Sequence, residues 1–275
     1  MLFIFYSAFF NKKNMTTDKP LLGKNALVFG VANKWSIAWA IAKAWHKAGA
    51  HLVIGYQGER LKKSVEELLA ELPGEDTPLA FPCDVTDEEQ VSQFFSKTKA
   101  HFPKIHVLLH SIAFAPKEAL EKNFYETSRQ DFLRTFETSV YSLIALAREA
   151  KALFSEGGSI LTLSYYGSEK VISNYKIMGP AKAALESTVR YLAYELGKDG
   201  IRVNALSPGP INTLAARGIS GFTKFLKECA SKSPLGRNTE TTDVASAALF
   251  LATDESRAIT GQTLYIDCGY SIMGF

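Results

Sequence analysis

The sequence predicts an α/β fold: one doubly wound parallel sheet of about seven strands flanked by helices. Three observations carry this expectation. Short β-rich apolar runs alternate with longer stretches of helical period along the chain, the pattern of βαβ units with right-handed crossovers. The strand segments are apolar throughout rather than alternating, as in strands buried on both faces. The first of them runs straight through Gly30 into a helix.

The elements follow in order. Residues 25–31 (NALVFGV) read as a buried strand. Residues 37–48 place apolar side chains at helical spacing until Gly49 stops them. Residues 51–56 form the second strand, 60–72 an amphipathic helix closed by Pro73-Gly74, and 79–83 the third strand. Asp87 is placed to cap a helix to about Phe102, with Glu88 and Glu89 in its first turn. Residues 105–110 are the fourth strand, 128–154 a long helix ended by Gly157-Gly158, and 159–164 the fifth strand. A helix over 174–197, a strand over 201–206, a helix over 242–252 and a strand over 263–267 complete the pattern. One stretch breaks the rhythm: the long insert near 207–234, with Pro208, Gly209, Pro210, Gly218 and Gly221. Long connections at the carboxyl end of a parallel sheet usually carry function.

Bulk properties exclude several classes. The 275 residues are 47% hydrophobic, which suffices for a sizeable core. The 31 basic and 28 acidic residues leave a formal charge of +3, too balanced for a nucleic-acid footprint. Cys83, Cys229 and Cys268 lie far apart, with neither metal-ligand nor disulfide spacing, which suits a reducing cytoplasm. At the N-terminus the apolar run MLFIFYSAFF precedes Lys12 and Lys13, whereas a secretory signal puts its positive charge first. Ten residues are also too short for a membrane-spanning helix, which needs about 20, so no stable membrane insertion is expected. Met15 opens a polar stretch. Residues 1–20 therefore read as an overcalled start or a floppy extension, with a short targeting or membrane-touching segment as the alternative. Residues 21–275 read as one domain.

Two regions carry candidate chemistry. The Gly30 turn, G-V-A-N-K-W-S-I-A, joins strand to helix, where free N–H groups and the helix dipole favour a dinucleotide pyrophosphate in a Rossmann-type fold. Gly30 permits the tight turn, and Ser36 is placed to cap the helix and offer a hydroxyl. The bland alternative is a plain capped turn. After the second strand, Gln57 is neutral and suits ribose hydroxyls, which favours NADH over NADPH; Arg60 lies three residues on, within reach of a 2′-phosphate or simply solvated. Asp84 follows the third strand, where an adenine would lie, or serves as a turn residue. In the second region, Tyr175 and Lys182 are seven residues apart and are expected to share one helix face. A nearby ammonium would stabilise the anion of a phenol and make it a better proton donor. Tyr166 and Lys170 also form Y-x-x-x-K, but in a glycine-containing turn where no helix would align them.

These segments resemble the bacterial enoyl-acyl-carrier-protein reductases of type II fatty-acid synthesis, a divergent branch of the short-chain dehydrogenase/reductases. The likeness runs from about Leu22 to the C-terminus. It is carried by Gly30 to Lys34 with Ser36-Ile37-Ala38, by Cys83-Asp84-Val85, by His110 to Ala115, by Gly209 to Ala215 and by Ile266 to Tyr270. Most specific is the Tyr165, Tyr175 and Lys182 set, since ordinary members use Y-x-x-x-K with an upstream serine. The resemblance implies that Tyr175 bonds the thioester carbonyl, Lys182 holds the nicotinamide ribose, and Tyr165 lines the site beside the reacting bond. Gly30, Ser36, Ile37, Gln57, Asp84, Val85, Ile112, Ile211, Asn212, Thr213, Leu214 and Ala215 would wrap the dinucleotide, and Ala115 would border the acyl thioester. It further implies NADH as cofactor, acyl carrier protein as the carrier of the substrate, a cytoplasmic location and a homotetramer using the 128–154 helix. The 211–220 segment, with Gly218 as hinge, would close over the acyl chain, and Phe222 and Phe225 in the insert either supply an apolar groove for it or simply pack against the core. Tyr166, Pro180 and Pro208 depart from the pattern; Pro180 is expected to kink the helix or remove a bond between Tyr175 and Lys182. Rival readings are an ordinary carbonyl reductase, against which Gly179 speaks, and a non-catalytic dinucleotide-binding regulator.

Overall fold

The computed structural model describes residues 19–74, 77–213 and 221–274. The expectations for residues 1–18, Leu214, Ala215 and Gly218 lie outside the described residues. Seven strands form one sheet: β1 (Asn25–Phe29), β2 (His51–Tyr56), β3 (Leu79–Pro82), β4 (Val107–His110), β5 (Gly158–Leu163), β6 (Ile201–Pro208) and β7 (Thr263–Ile266). Their order is β3-β2-β1-β4-β5-β6-β7, with every pair parallel. The chain winds outward from β1 to β3, then returns to the other side of β1 and winds outward again. The order therefore reverses between β1 and β4, and a crevice opens there at the carboxyl ends of the strands.

Side chains along β1 alternate between two cores. Leu27 and Phe29 join Phe94, Leu146 and Leu185 beneath α3 (Glu88–His101), α6 (Ser142–Lys151) and α7 (Met178–Leu196). Ala26 and Val28 join Trp39, Trp45, Val65 and Val244 beneath α1 (Ile37–Lys47), α2 (Gly58–Ala70) and the 241–252 helix on the opposite face. Three layers result, and the apolar strand composition follows from burial on both sides. Asp87 caps α3 as expected, accepting from the N–H groups of Glu89 and Gln90. The insert contributes α8 (Phe222–Lys232), ahead of α9 (Thr241–Ala252). Among the described residues no helix is long and apolar enough to cross a membrane.

Several elements differ from expectation. The first strand stops at Phe29 rather than Val31, because Gly30 takes φ +101° and turns the chain away. The expected 128–154 helix is α5 (Arg129–Phe136), a π turn (Glu137–Tyr141) and α6. Ser142 Oγ donates to Thr138 O (2.7 Å), while Ser139 Oγ leaves the helix to accept from Phe114 N (3.0 Å). A short α4 (Lys117–Glu121) and a 3-10 turn (Phe124–Glu126) precede it. The expected 174–197 helix starts at Met178, since Asn174 (φ 64°) and Lys176 (φ 46°) are left-handed and cannot continue a right-handed helix. Tyr175 thus precedes the helix that carries Lys182. Pro180 falls in the first turn, where its missing N–H has no intrahelical acceptor to lose, so it neither kinks α7 nor removes a bond.

The β1 exit leaves no room for a side chain at Gly30: a Cβ there would sit 2.0 Å from Ser111 O. With the positive φ costing about 1–3 kcal/mol in addition, Gly30→Ala is expected to lower the urea midpoint clearly. An unchanged midpoint would mean that the β1 and β4 exits can move apart at no cost.

Candidate active site

The carboxyl ends of the strands open into two neighbouring cavities. The first, about 500 Å³, runs along the ends of β1, β2 and β4. Of the sequence-predicted residues, Gly30, Ser36, Ile37, Gln57, Val85, Ile112, Lys182 and Thr213 line it. Asp84 stands directly behind, where its Oδ2 accepts from Gln57 Nε2 (2.8 Å). Arg60 is exposed and outside the lining. The second cavity, about 680 Å³, is walled by Ala115, Tyr165, Tyr175, Ile211 and Phe225 among others. Ile37, Ala113 and Thr213 border both. Asn212 lines neither.

One local expectation fails at the first turn. Ser36 occupies the N-cap of α1 but its side chain makes no cap bond; Oγ donates instead to Asn33 O (2.7 Å). The hydroxyl closes the preceding turn, so the first-turn N–H groups of α1 are not covered by it, and the positive end of the helix dipole lies at the cavity wall.

Glycines set the aromatic wall. A Cβ on Gly167 would stand 2.5 Å from the Tyr175 ring, and one on Gly179 would stand 2.9 Å from Gly167 O. Both gaps let Tyr175 fold over the turn after β5 and meet Tyr165, with ring centroids 4.9 Å apart in an edge contact. Burial pushes both phenols upward, so each is a neutral donor at ordinary pH. This corrects the expectation that the Lys182 ammonium draws the Tyr175 pKa down. Lys182 is buried in the wall of the first cavity, where its Nζ donates to Leu163 O (2.6 Å). Tyr166 is placed elsewhere: its hydroxyl donates to Ser271 O (3.3 Å), and Lys170 is exposed.

The structure adds groups that the sequence reading missed. Buried Glu186, one turn beyond Lys182 on α7, accepts from Ser164 Oγ and from Ser168 Oγ (2.7 Å) with the same oxygen. It therefore clamps both ends of the turn that holds Tyr165. Burial pulls the Lys182 ammonium down to about 8, against the opposing pull of Glu186. Beneath them His110 is fully buried, bonded at 2.8 Å to Thr162 Oγ1 and to Ser142 Oγ. Ser142 spends its proton on Thr138 O, so His110 Nε2 donates to Ser142 and Nδ1 accepts from Thr162. Burial and the Lys182 charge lower His110 to about 3, which keeps the ring neutral. The one local signal for Glu186 was its place four residues after Lys182; the serines that give it meaning lie far back in the chain.

A parallel sheet of this order, with its crevice at the β1/β4 reversal and a buried lysine beside it, marks a Rossmann-type short-chain dehydrogenase/reductase. The comparisons narrow the class. The sequence profile described as "Enoyl-(Acyl carrier protein) reductase" matches residues 30–271. The enoyl-[acyl-carrier-protein] reductase [NADH] of Bacillus cereus is 48% identical over 254 residues, 92% of this chain and 99% of that one. That of Bacillus subtilis is 48% identical over 252 residues, 92% and 97% of the two chains. The crystal structure of the Bacillus cereus reductase with NADP+ and an indole naphthyridinone superposes with a TM-score of 0.92 at 47% identity, covering 94% of this chain and all (100%) of that one. The Anaplasma phagocytophilum reductase in complex with NAD gives 0.90 at 44% identity, over 95% and 99% of the chains. The chain belongs to the enoyl-(acyl carrier protein) reductase family.

Amine-directed modification of Lys182, read by mass spectrometry across pH, is expected to rise with a midpoint near 8. The ammonium persists below that pH and the reactive amine above it. Glu186→Gln removes the charge that favours the ammonium and is expected to move the midpoint to lower pH. A wild-type midpoint at the ordinary 10.5 would instead describe a solvated lysine.

Proposed function

We infer that the protein is an NADH-dependent enoyl-[acyl-carrier-protein] reductase, which reduces the trans-2 double bond of enoyl thioesters in the last step of the fatty-acid elongation cycle. The observation that carries this reading is the pair of cavities sharing a wall, one with a buried lysine and the other with two neutral phenols. The first cavity fits a dinucleotide by its donor set. The uncovered N-terminus of α1 suits a pyrophosphate, the Lys182 ammonium suits ribose hydroxyls, and Leu61, Val85 and Ile112 offer apolar walls to flat rings. When bound there, NADH would supply the hydride for the β-carbon of the enoyl group, and a proton drawn from water would complete the reduction at the α-carbon.

The remaining work falls to the chain's own residues. Gly30, Ser36, Ile37, Gln57, Val85, Ile112 and Thr213 surround the cofactor, Asp84 backs Gln57, and Lys182 orients its ribose. In the second cavity Tyr175 donates its phenolic proton in a hydrogen bond to the thioester oxygen, where negative charge develops during reduction. A neutral buried phenol suits this role, because it is a preorganised donor that keeps its proton until charge appears. Tyr165 borders the reacting bond, Ala115 borders the thioester, and Phe225 offers an apolar wall to the acyl chain. The substrate arrives on acyl carrier protein. The unpaired thiols of Cys83, Cys229 and Cys268 suit a reducing cytoplasm. Phe132 and Leu133 on α5, Ile144 on α6, and Tyr191 and Tyr194 on α7 are exposed apolar groups that suit a homotetramer.

NADH absorbance should fall when the protein meets a crotonyl or longer trans-2-enoyl thioester, and Tyr175→Phe should lower kcat about 100-fold or more. No oxidation of NADH or NADPH across several acyl lengths would sink this assignment and favour a ketone reductase or a binding protein. Light scattering should give four times the mass of one chain; a monomer would remove the interface role of α5, α6 and α7.

A further inference from the structure

We propose that Asp84 sets the choice between NADH and NADPH by fixing which end of the Gln57 amide faces the first cavity. The inference rests on reading that cavity as the dinucleotide site. Gln57 lines the cavity and Asp84 does not. An ionised carboxylate only accepts hydrogen bonds, so the Gln57 end that meets Asp84 Oδ2 must be the amide nitrogen, as found at 2.8 Å. Because Gln57 lines the cavity and its nitrogen is engaged by Asp84 outside the lining, we assign the cavity side of the amide to the carbonyl oxygen. An oxygen there accepts from the 2′-hydroxyl of an adenine ribose. The same oxygen meets a 2′-phosphate lone pair to lone pair, and the phosphate has no donor to offer it.

The carboxylate is itself held. Thr86 N (3.0 Å) and Thr86 Oγ1 (2.7 Å) both donate to Asp84 Oδ1, which leaves Oδ2 for Gln57. Burial acts to raise the Asp84 carboxyl, but the bonds from Gln57 and Thr86 outweigh it and hold the group below the usual range, ionised at working pH. Around Gln57 the cavity wall is Gly55, Tyr56, Leu61, Cys83 and Val85, with no basic side chain among these described residues to neutralise a phosphate.

The isosteric substitution Asp84→Asn reverses the amide. Thr86 N still needs an acceptor, so the Asn oxygen takes the Oδ1 position and its NH2 group takes the Oδ2 position. That NH2 needs an acceptor, and Gln57 must turn its carbonyl toward it, presenting its own NH2 to the cavity. A donor there suits a 2′-phosphate.

The test is the dissociation constant of NADH and of NADPH, measured by titration calorimetry without any thioester, for wild type, Asp84→Asn, Gln57→Leu and the double variant. Contacts shared by both dinucleotides cancel in the ratio. Wild type should prefer NADH, and Asp84→Asn should move the ratio toward NADPH about tenfold or more, the scale of one mismatched hydrogen bond. Gln57→Leu, which leaves Asp84 untouched, should weaken NADH while sparing NADPH. In the Gln57→Leu background the Asp84→Asn change should shift the ratio much less. An equal shift in both backgrounds would assign the effect to charge alone and overturn the proposal, as would a Gln57→Leu variant that weakens NADPH more than NADH. Binding without enoyl turnover would sink the enoyl reading and leave this one standing. Wild type that binds neither dinucleotide would overturn both.

Discussion

The parting of the chain at the ends of β1 and β4 is the constraint on which the site depends. Two parallel strands pair closely up to Phe29 and His110, and there both must leave the sheet. Gly30 passes so near Ser111 that no side chain fits between them. One exit leads to α1 and presents a helix N-terminus; the other leads to Ile112, Ala113 and Ala115 along the cavity walls. The crevice is therefore a product of topology. It exists because strand order reverses there.

Beneath the crevice lies a set of buried polar groups whose charges are balanced. Lys182 is the buried cation, Glu186 the buried anion one turn away, and His110 stays neutral because burial, and after it the nearby Lys182 charge, disfavours its cation. Each is held by bonds to different segments: Leu163 at the end of β5, Ser164 and Ser168 in the turn beyond, Thr162 in β5, and Ser142 in α6. The network ties the floor of the first cavity to the wall of the second. An unpaired buried charge would be costly, so the elements that carry these residues are held to one arrangement.

Much of the fold was legible because strands buried on both faces write their burial directly as runs such as Asn25–Phe29 and His51–Tyr56. The Gly30 turn and the Asp87 cap were readable because their meaning is local. Tyr175 and Lys182 were singled out on a geometric argument that does not hold: their spacing suits one helix face, but Asn174 and Lys176 take left-handed conformations that put Tyr175 ahead of α7. Residue spacing does not reveal a change of backbone hand at non-glycine positions. Glu186 was invisible for another reason. A carboxylate inside an apolar helix period gains its role only from Ser164 and Ser168, which approach it through tertiary folding. The π turn, too, has no sequence signature of its own; the bond of its Ser139 to Phe114 N forms only through tertiary folding.

That turn has a consequence for how the chain tolerates change in length. A π turn holds one residue more than the α-helix around it, so it offsets the angular phase of α5 from that of α6 by about 100°. Leu143, Leu146 and Ala150 keep to the core on one side of the offset, while Thr138 reaches the first cavity within it. Deleting one residue from the segment would yield a smoother and locally more regular helix. It would also swing every side chain on α5 around the axis relative to α6. Regularity and correct aim are opposed at this point, and the chain keeps the irregular winding.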